Sequence, residues 1–350
     1  MNSLSSPHTE GPRLQISRKW PVTSLLVSAL PWIIIAGLLY AGLFIKPRAV
    51  GKSVAPPALE RRDRIYGIAQ GEGGAILAAG SNGKILSIAA DRQVTRQATP
   101  TGMSLQDIAA FDALHAVAVG NDNVILYTED GGRHWLRADN VPRSEVANKL
   151  NRVRASAGGI AIAVGEMGAL LRSEDYGKTW RRLRAEEDVA WNDVVILDAN
   201  TLLVVGEFGK ILHSDDGGQS WEQMQAPVES SLMAVAFRDA SSGIAVGLDG
   251  VVLSSSDGGR SWSDVKLAAH EHLLDVLWNA NTNEWFIVGM LGRWISGIQN
   301  PDGLQWKVGV LSDRALTWHT RVLASGSTYW LSGADVGTWD GQRWMPLESH

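Results

Sequence analysis

The sequence predicts an all-β fold, a seven-bladed β-propeller preceded by one N-terminal transmembrane helix. Three observations predict it. An apolar–Gly step recurs at Gly80, Gly120, Gly165, Gly206, Gly247, Gly289 and Gly333, a period of about 42 residues, as expected of blades with four short strands. In four consecutive units that step is followed by Ser/Thr-x-Asp-x-Gly-x-Ser/Thr-Trp or a near match. Ahead of every repeat, residues 22–45 form a run without a single charged side chain.

Taken in order, residues 1–21 read as a cytoplasmic tail, 22–45 as the membrane helix, 46–62 as a linker and 63–350 as the propeller. A helix over 22–45 reaches ~36 Å, enough for a hydrocarbon core of ~30 Å. Trp20 and Tyr40 suit the two interfaces, Lys19 and Lys46 bracket the run, and Pro31 is tolerated inside a membrane helix. A signal peptide would have a shorter apolar stretch, ~7–15 residues, with a small-residue cleavage site behind it. Arg13, Arg18 and Lys19 on one side balance Lys46, Arg48 and Lys52 on the other, so basic residues do not set the orientation. A lone first hydrophobic segment ahead of a large domain exports that domain. The expected location is therefore a bacterial inner membrane, crossed once, with the propeller in the periplasm.

Each repeat then divides into four strand-like runs separated by turn residues. In the fourth unit they fall at 194–197, 202–206, 210–213 and 220–224. First and last units each hold four runs of their own, which leaves open how the ring is latched. The chain has no Cys, which excludes thiol catalysis, disulfides and cysteine-bound zinc. Six of the 32 basic residues and one of the 37 acidic ones precede residue 60, so residues 60–350 carry a net charge of −10. Nucleic acid selects for the opposite sign.

The four motifs lie at 128–135 (His134 in the Ser/Thr place), 173–180, 214–221 and 255–262. They resemble the Asp box, or bacterial neuraminidase repeat. The role expected of Asp130, Asp175, Asp216 and Asp257 is structural: their carboxylates accept backbone N–H groups inside the turn. Trp135, Trp180, Trp221 and Trp262 are expected to pack between blades. Sialidases share this box but resemble one another by an Arg-Ile-Pro motif, which is missing; the nearest match is Arg64-Ile65-Tyr66. Glu166 and Glu207, at equivalent places in adjacent units, are the one carboxylate pair that keeps a glycoside hydrolase as an alternative. His270 and His272 flank Glu271 in a polar loop and read as solvated surface. No enzyme activity, no cofactor and no metal ion are expected.

Strands alternate direction in a blade, so the connectors between blades share one face with the second-to-third strand turns. That face is the candidate partner surface. It collects Glu166, Met167, Glu207, Phe208, Leu248, Asp249, Met290, Leu291 and Arg293 at the turns. Asp107, Arg152, Asp193, Asp275 and Arg321 are expected around the channel mouth. Phe208, Met290 and Leu291 stand out, because solvated turn tips are normally polar.

Anchor, seven repeats and the unit AVGxxGxILRSxDGGxSW together resemble the photosystem II stability and assembly factor family, over residues 60–347 and most clearly from Leu105 to Trp262. The resemblance implies a non-enzymatic protein on the exported side of a membrane that holds a membrane subunit during assembly. It implies a role for an arginine patch, for which Arg152, Arg154, Arg293 and Arg321 are the nearest candidates. The chain departs from the cyanobacterial lipoprotein pattern, having no Cys, and from the plastid pattern, having no transit peptide. Some non-photosynthetic relatives are encoded beside exporters of the resistance-nodulation-division superfamily. The expected partner is accordingly an integral inner-membrane protein, a transporter of that type, with an assembly role on another membrane complex as the alternative. A small-ligand sensor using the channel mouth is a third class.

Overall fold

A computed structural model describes residues 22–44, 57–300, 303–314 and 316–348. The expected tail, Ile45 and most of the linker lie outside them. Two compact units are present, Met1–Ala55 and Pro56–His350.

The first contains one α-helix, α1 (Val22–Phe44), with Pro31 inside it. Its segment Val27–Phe44 has a mean hydropathy of 2.0, and none of it is buried among the described residues. It is long and apolar enough to cross a membrane.

The second unit is a seven-bladed propeller. Each blade is a four-stranded antiparallel sheet of four consecutive strands in chain order. Blades 1 to 7 span 65–97, 105–137, 150–182, 191–224, 232–264, 273–310 and 319–346. First strands contact one another around the ring, blade 7 to blade 1 included, and so line the centre. In blade 4 the strands are Trp191–Ile196, Leu202–Gly206, Ile211–Ser214 and Glu222–Met224. The first starts three residues before its apolar run. Trp191 pairs with Gly206 and Asp193 with Val205, so a bulge between them interrupts the regular alternation of a strand. Second strands such as Ala161–Gly165 and Leu202–Gly206 are buried along their whole length. Both of their faces are covered by neighbouring blades, which is why they read as unbroken apolar runs.

In each Asp box the carboxylate closes the turn. In blade 4 the Asp216 carboxylate accepts the backbone N–H of Gln219 and of Ser220, each at 2.9 Å, and the Ser220 hydroxyl at 2.6 Å. The Ser214 hydroxyl donates to Asp216 at 2.9 Å and accepts from the Gly218 N–H. Asp175 and Asp257 repeat this pattern. In blade 2, His134 Nδ1 replaces the hydroxyl, 2.6 Å from Asp130. The indole of each box joins a hydrophobic cluster that includes side chains of the preceding blade: Trp135 with Leu77 and Ile85, Trp180 with Val117 and Ile125, Trp221 with Ile162, and Trp262 with Leu203.

No strand is exchanged to close the ring. Leu59, Ile65 and Ile68 pack against Trp330 and Val336 of blade 7. Thr320 Oγ1 donates to the Tyr66 carbonyl at 3.1 Å, and Arg92 donates to Thr338 Oγ1 at 2.9 Å and to the Met345 carbonyl at 3.0 Å. Leu59, expected in the linker, is buried in the seam, and Glu60 and Asp63 both pair with Lys84.

Candidate functional site

The site is built from six copies of one turn, in blades 1 to 6; blade 7 has a shorter loop there, from Gly333 to Val336. Where a second strand ends in Gly-x-x-Gly, the last glycine has positive φ and leans on the connector to the next blade. A Cβ on Gly209 would lie 2.2 Å from the Val228 carbonyl oxygen, and one on Gly250 would lie 2.1 Å from that of Ala269. The turns and connectors therefore share a face, with the Asp boxes on the other. The residue before that glycine, or before Asn123 in blade 2, is left-handed in each of the six: Asn82, Asp122, Met167, Phe208, Asp249 and Leu291, with φ between 52° and 59°. Asn and Asp adopt this region readily, whereas Met, Phe and Leu do so at a cost. Phe208 is nevertheless 69% exposed and Leu291 48%. Nothing in their own packing accounts for either residue in that conformation.

Other expected tip residues divide. Asp249 is exposed, Glu166 and Met167 are half-buried, and Met290, expected as an apolar anchor, is half-buried beside the connector, its N–H donating to the His272 carbonyl. The Glu207 carboxylate accepts the Ala190 N–H at 2.8 Å, which fixes it to the connector. Arg293 forms an ion pair with Glu271 and donates to the Gly309 carbonyl at 3.3 Å.

Inside the circle of tips, the second residue of every first strand lines one cavity of about 320 Å³, together with Glu166, Glu207, Lys149 and Arg321. Blades 5, 6, 7 and 1 contribute Met233, Leu274, Thr320 and Tyr66; blades 2, 3 and 4 contribute Gln106, Asn151 and Asn192. One half of the ring is thus largely apolar and the other carries amides, with Lys149, Glu166 and Glu207 beside them. The amide N–H groups are directed sideways: Asn151 donates to the Trp191 carbonyl at 3.1 Å and Asn192 to that of Leu232 at 2.9 Å. Their oxygens remain to meet a ligand. This two-sided ring is not legible in the sequence, because no residue type recurs at the position beyond the Asn of blades 3 and 4.

One residue further along the first strands of blades 2, 3, 4, 6 and 7, a charge network plugs the channel. Arg152 holds Asp193 with two bonds, at 2.7 and 2.8 Å, and also pairs with Asp275. Arg154 reaches Asp193 at 2.9 Å, and Arg321 reaches Asp107 at 2.9 Å. The three carboxylates also join blades: Asp107 accepts the Val153 N–H, Asp193 that of Val235 and Asp275 that of Val322, at 2.8 to 3.1 Å. Burial alone would push the Asp193 carboxyl up, but Arg152 and then Arg154 hold it well below the usual carboxylate range. Arg152 is fully buried. It is therefore corrected from partner contact to channel plug: a side chain with no exposed surface cannot meet a partner. Asp107, Asp193 and Asp275 likewise lie within the plug, not at the mouth. Of the four arginines implied as a patch, Arg152, Arg154 and Arg321 gather here, Arg321 alone lining the mouth, while Arg293 belongs to the blade-6 turn.

The family model described as photosynthesis system II assembly factor YCF48 matches residues 86–222 and 219–314. The chain belongs to the YCF48 family. No curated protein sequence matches it. Among solved structures, YCF48 bound to a D1 peptide superposes with a TM-score of 0.64 at 16% identity, covering 81% of this chain and 95% of that one. YCF48 from Cyanidioschyzon merolae gives 0.63 at 15% identity, covering 79% and 94%. PorZ, a surface component of the type-IX secretion system of Porphyromonas gingivalis, gives 0.60 at 16% identity, covering 83% of this chain and 39% of that one. At such identities the YCF48 structures share the fold with this chain, and the family model carries the membership.

Proposed function

We propose that this YCF48-family propeller is a non-enzymatic, membrane-anchored binding subunit that holds a segment of an integral membrane protein over its channel mouth during assembly or operation of a complex. The observation that carries the reading is the exposure of Phe208 and Leu291, in backbone conformations unfavourable to them, on the face that bears the two-sided mouth. Strain retained at an exposed apolar tip has no use in the isolated domain. An apolar anchor beside half-buried polar groups is the composition of a binding centre. A YCF48 structure with a bound D1 peptide supports a protein ligand for the family. The anchor is α1, with the propeller on the exported side. Confinement to the bilayer raises the effective concentration of a membrane partner, so modest contacts suffice. A resistance-nodulation-division transporter remains the sequence-based expectation for the partner, and the comparisons add no support for it. A hydrolytic role is disfavoured by Glu207, whose carboxylate is engaged by the Ala190 N–H.

A photocrosslinking amino acid at position 208, with one at Gln219 on the opposite face as control, tests this in the full chain in native membranes. Crosslinks to a membrane protein from 208 alone, weakened at least tenfold by Leu291→Asp, are expected. Equal labelling from both positions, or none from 208, overturns it.

A further inference from the structure

The repeat breaks down in blade 6. Its third strand, Arg293–Asn300, and fourth strand, Gly303–Val310, pair over eight residues. The fourth strands of blades 2 to 5 have only two or three: Leu136–Arg137, Arg181–Arg182, Glu222–Met224 and Ser263–Asp264. Short, charged outer strands are how sheets avoid unwanted pairing. The blade-6 strand is long, contains no Pro and carries a single charge, Lys307. It is the last strand of its sheet, so every second residue turns its N–H and C=O away from the blade with no strand to receive them.

A cleft opens on each side of this edge, each of about 240 Å³. The cleft facing blade 5 is lined by Arg238, Ile244, Ser254, Ser261 and Leu304 among others. Ile244 stands at the register position that Leu203 holds in blade 4, and Gly259 of the blade-5 Asp box packs against Leu203. Blade 6 has no such box, and the corresponding space is open. The cleft facing blade 7 is lined by Ile298, Lys307, Trp294 and Trp339, and also by Glu284 and Asp340. Alternate residues of the edge serve the two sides. Leu304, Trp306 and Val308 pack onto the cluster between blades 5 and 6, whereas the Lys307 ammonium lies 5.5 Å from the Trp294 ring centroid. Among the described residues no carboxylate is paired with Lys307, and Ile298 beside it is 42% exposed.

We propose that the outer edge of blade 6 is a second docking surface, which takes an extended segment of a partner protein as a fifth strand, with an acidic side chain facing Lys307. Main-chain hydrogen bonds supply affinity in such strand addition, and the two clefts sort alternate side chains. A second copy of this chain is the weaker occupant. Two-fold pairing of the strand with itself centres near Trp306 and Lys307 and sets the two lysines opposite or diagonal to each other. Both domains also carry a net charge of −10, counted over residues 60–350 with 26 basic and 36 acidic side chains.

The test uses the full chain purified in mild detergent and a library of random ten-residue peptides. Selected binders should slow amide hydrogen exchange within Gly303–Val310 at least tenfold and share an acidic position. Lys307→Glu should weaken them at least tenfold, and a peptide with Lys at the shared position should bind that variant. Lys307 is exposed, so the fold tolerates the change. Selection of no binder, protection confined to the channel mouth, or protection that rises with protein concentration in the absence of peptide each overturns the proposal, the last in favour of a second copy.

Discussion

Phe208 holds a left-handed conformation at a solvent-exposed turn, between Glu207 and Gly209, in a place where blades 1, 2 and 5 use Asn or Asp. Replacing it by Asn should therefore stabilise the isolated propeller, by about 1 kcal/mol in urea unfolding, while weakening partner capture. A substitution that raises stability and lowers binding separates a functional side chain from a structural one. The carboxylates of the Asp boxes give the opposite case. Hydrogen bonds from Ser220 hold the Asp216 carboxyl at about 2, and Ser261 does the same for Asp257, below the ordinary 3.8. A folded-state value depressed in this way gives stability that is complete above the unfolded value and is lost as pH falls through the folded one. Acid unfolding should accordingly steepen between about pH 4 and pH 2, and Asp216→Ala should flatten the pH dependence in that window. These roles were legible from residue types and spacing, since Ser-x-Asp-x-Gly defines the turn without reference to the rest of the chain. The burial of Arg152 was not legible, because a ring position says which strand a residue sits on but not whether the channel is filled.

At the scale of the strand, the inner ring is held by charges that neutralise one another across blades. Arg152 has no exposed surface and serves both Asp193 and Asp275. Arg152→Ala leaves two buried carboxylates without their principal partner and should cost about 3–5 kcal/mol in chemical denaturation. Arg154 is 36% exposed and also contacts Asp193; its replacement by Ala should cost much less, since solvent screens it. A comparable loss from both variants would contradict the plug. The sequence does carry a trace of this layer. Gly67, Asp107, Arg152, Asp193, Ala234, Asp275 and Arg321 occupy the same bulged position in successive blades. Opposite charges recurring at one register position are a pairing signal, but only the closed ring shows which partners meet. The long edge of blade 6 was equally hidden, since no turn motif in the sequence marks its hairpin.

The molecule as a whole is closed by side chains, and its boundary is set by that seam. Leu59→Ala, in a segment that reads as linker, should lose about 2–4 kcal/mol and hasten proteolysis near residue 57; an unchanged unfolding midpoint would return the segment to the linker. Blade number and order were legible because a single glycine register runs through all seven units. The closure was not, because it depends on contacts between residues far apart in the chain, such as Arg92 with Thr338 and Met345. That closure has an evolutionary and practical corollary. Residues 57–59 and 346–348 line the same cleft, so the two ends of the domain are already neighbours, and no blade borrows a strand from another. Circular permutants, cut at any inter-blade connector and joined across the present ends, should keep every sheet intact. The membrane tether could then be moved to leave the ring beside any chosen blade, so that the direction in which the propeller presents its binding face becomes a matter of gene order.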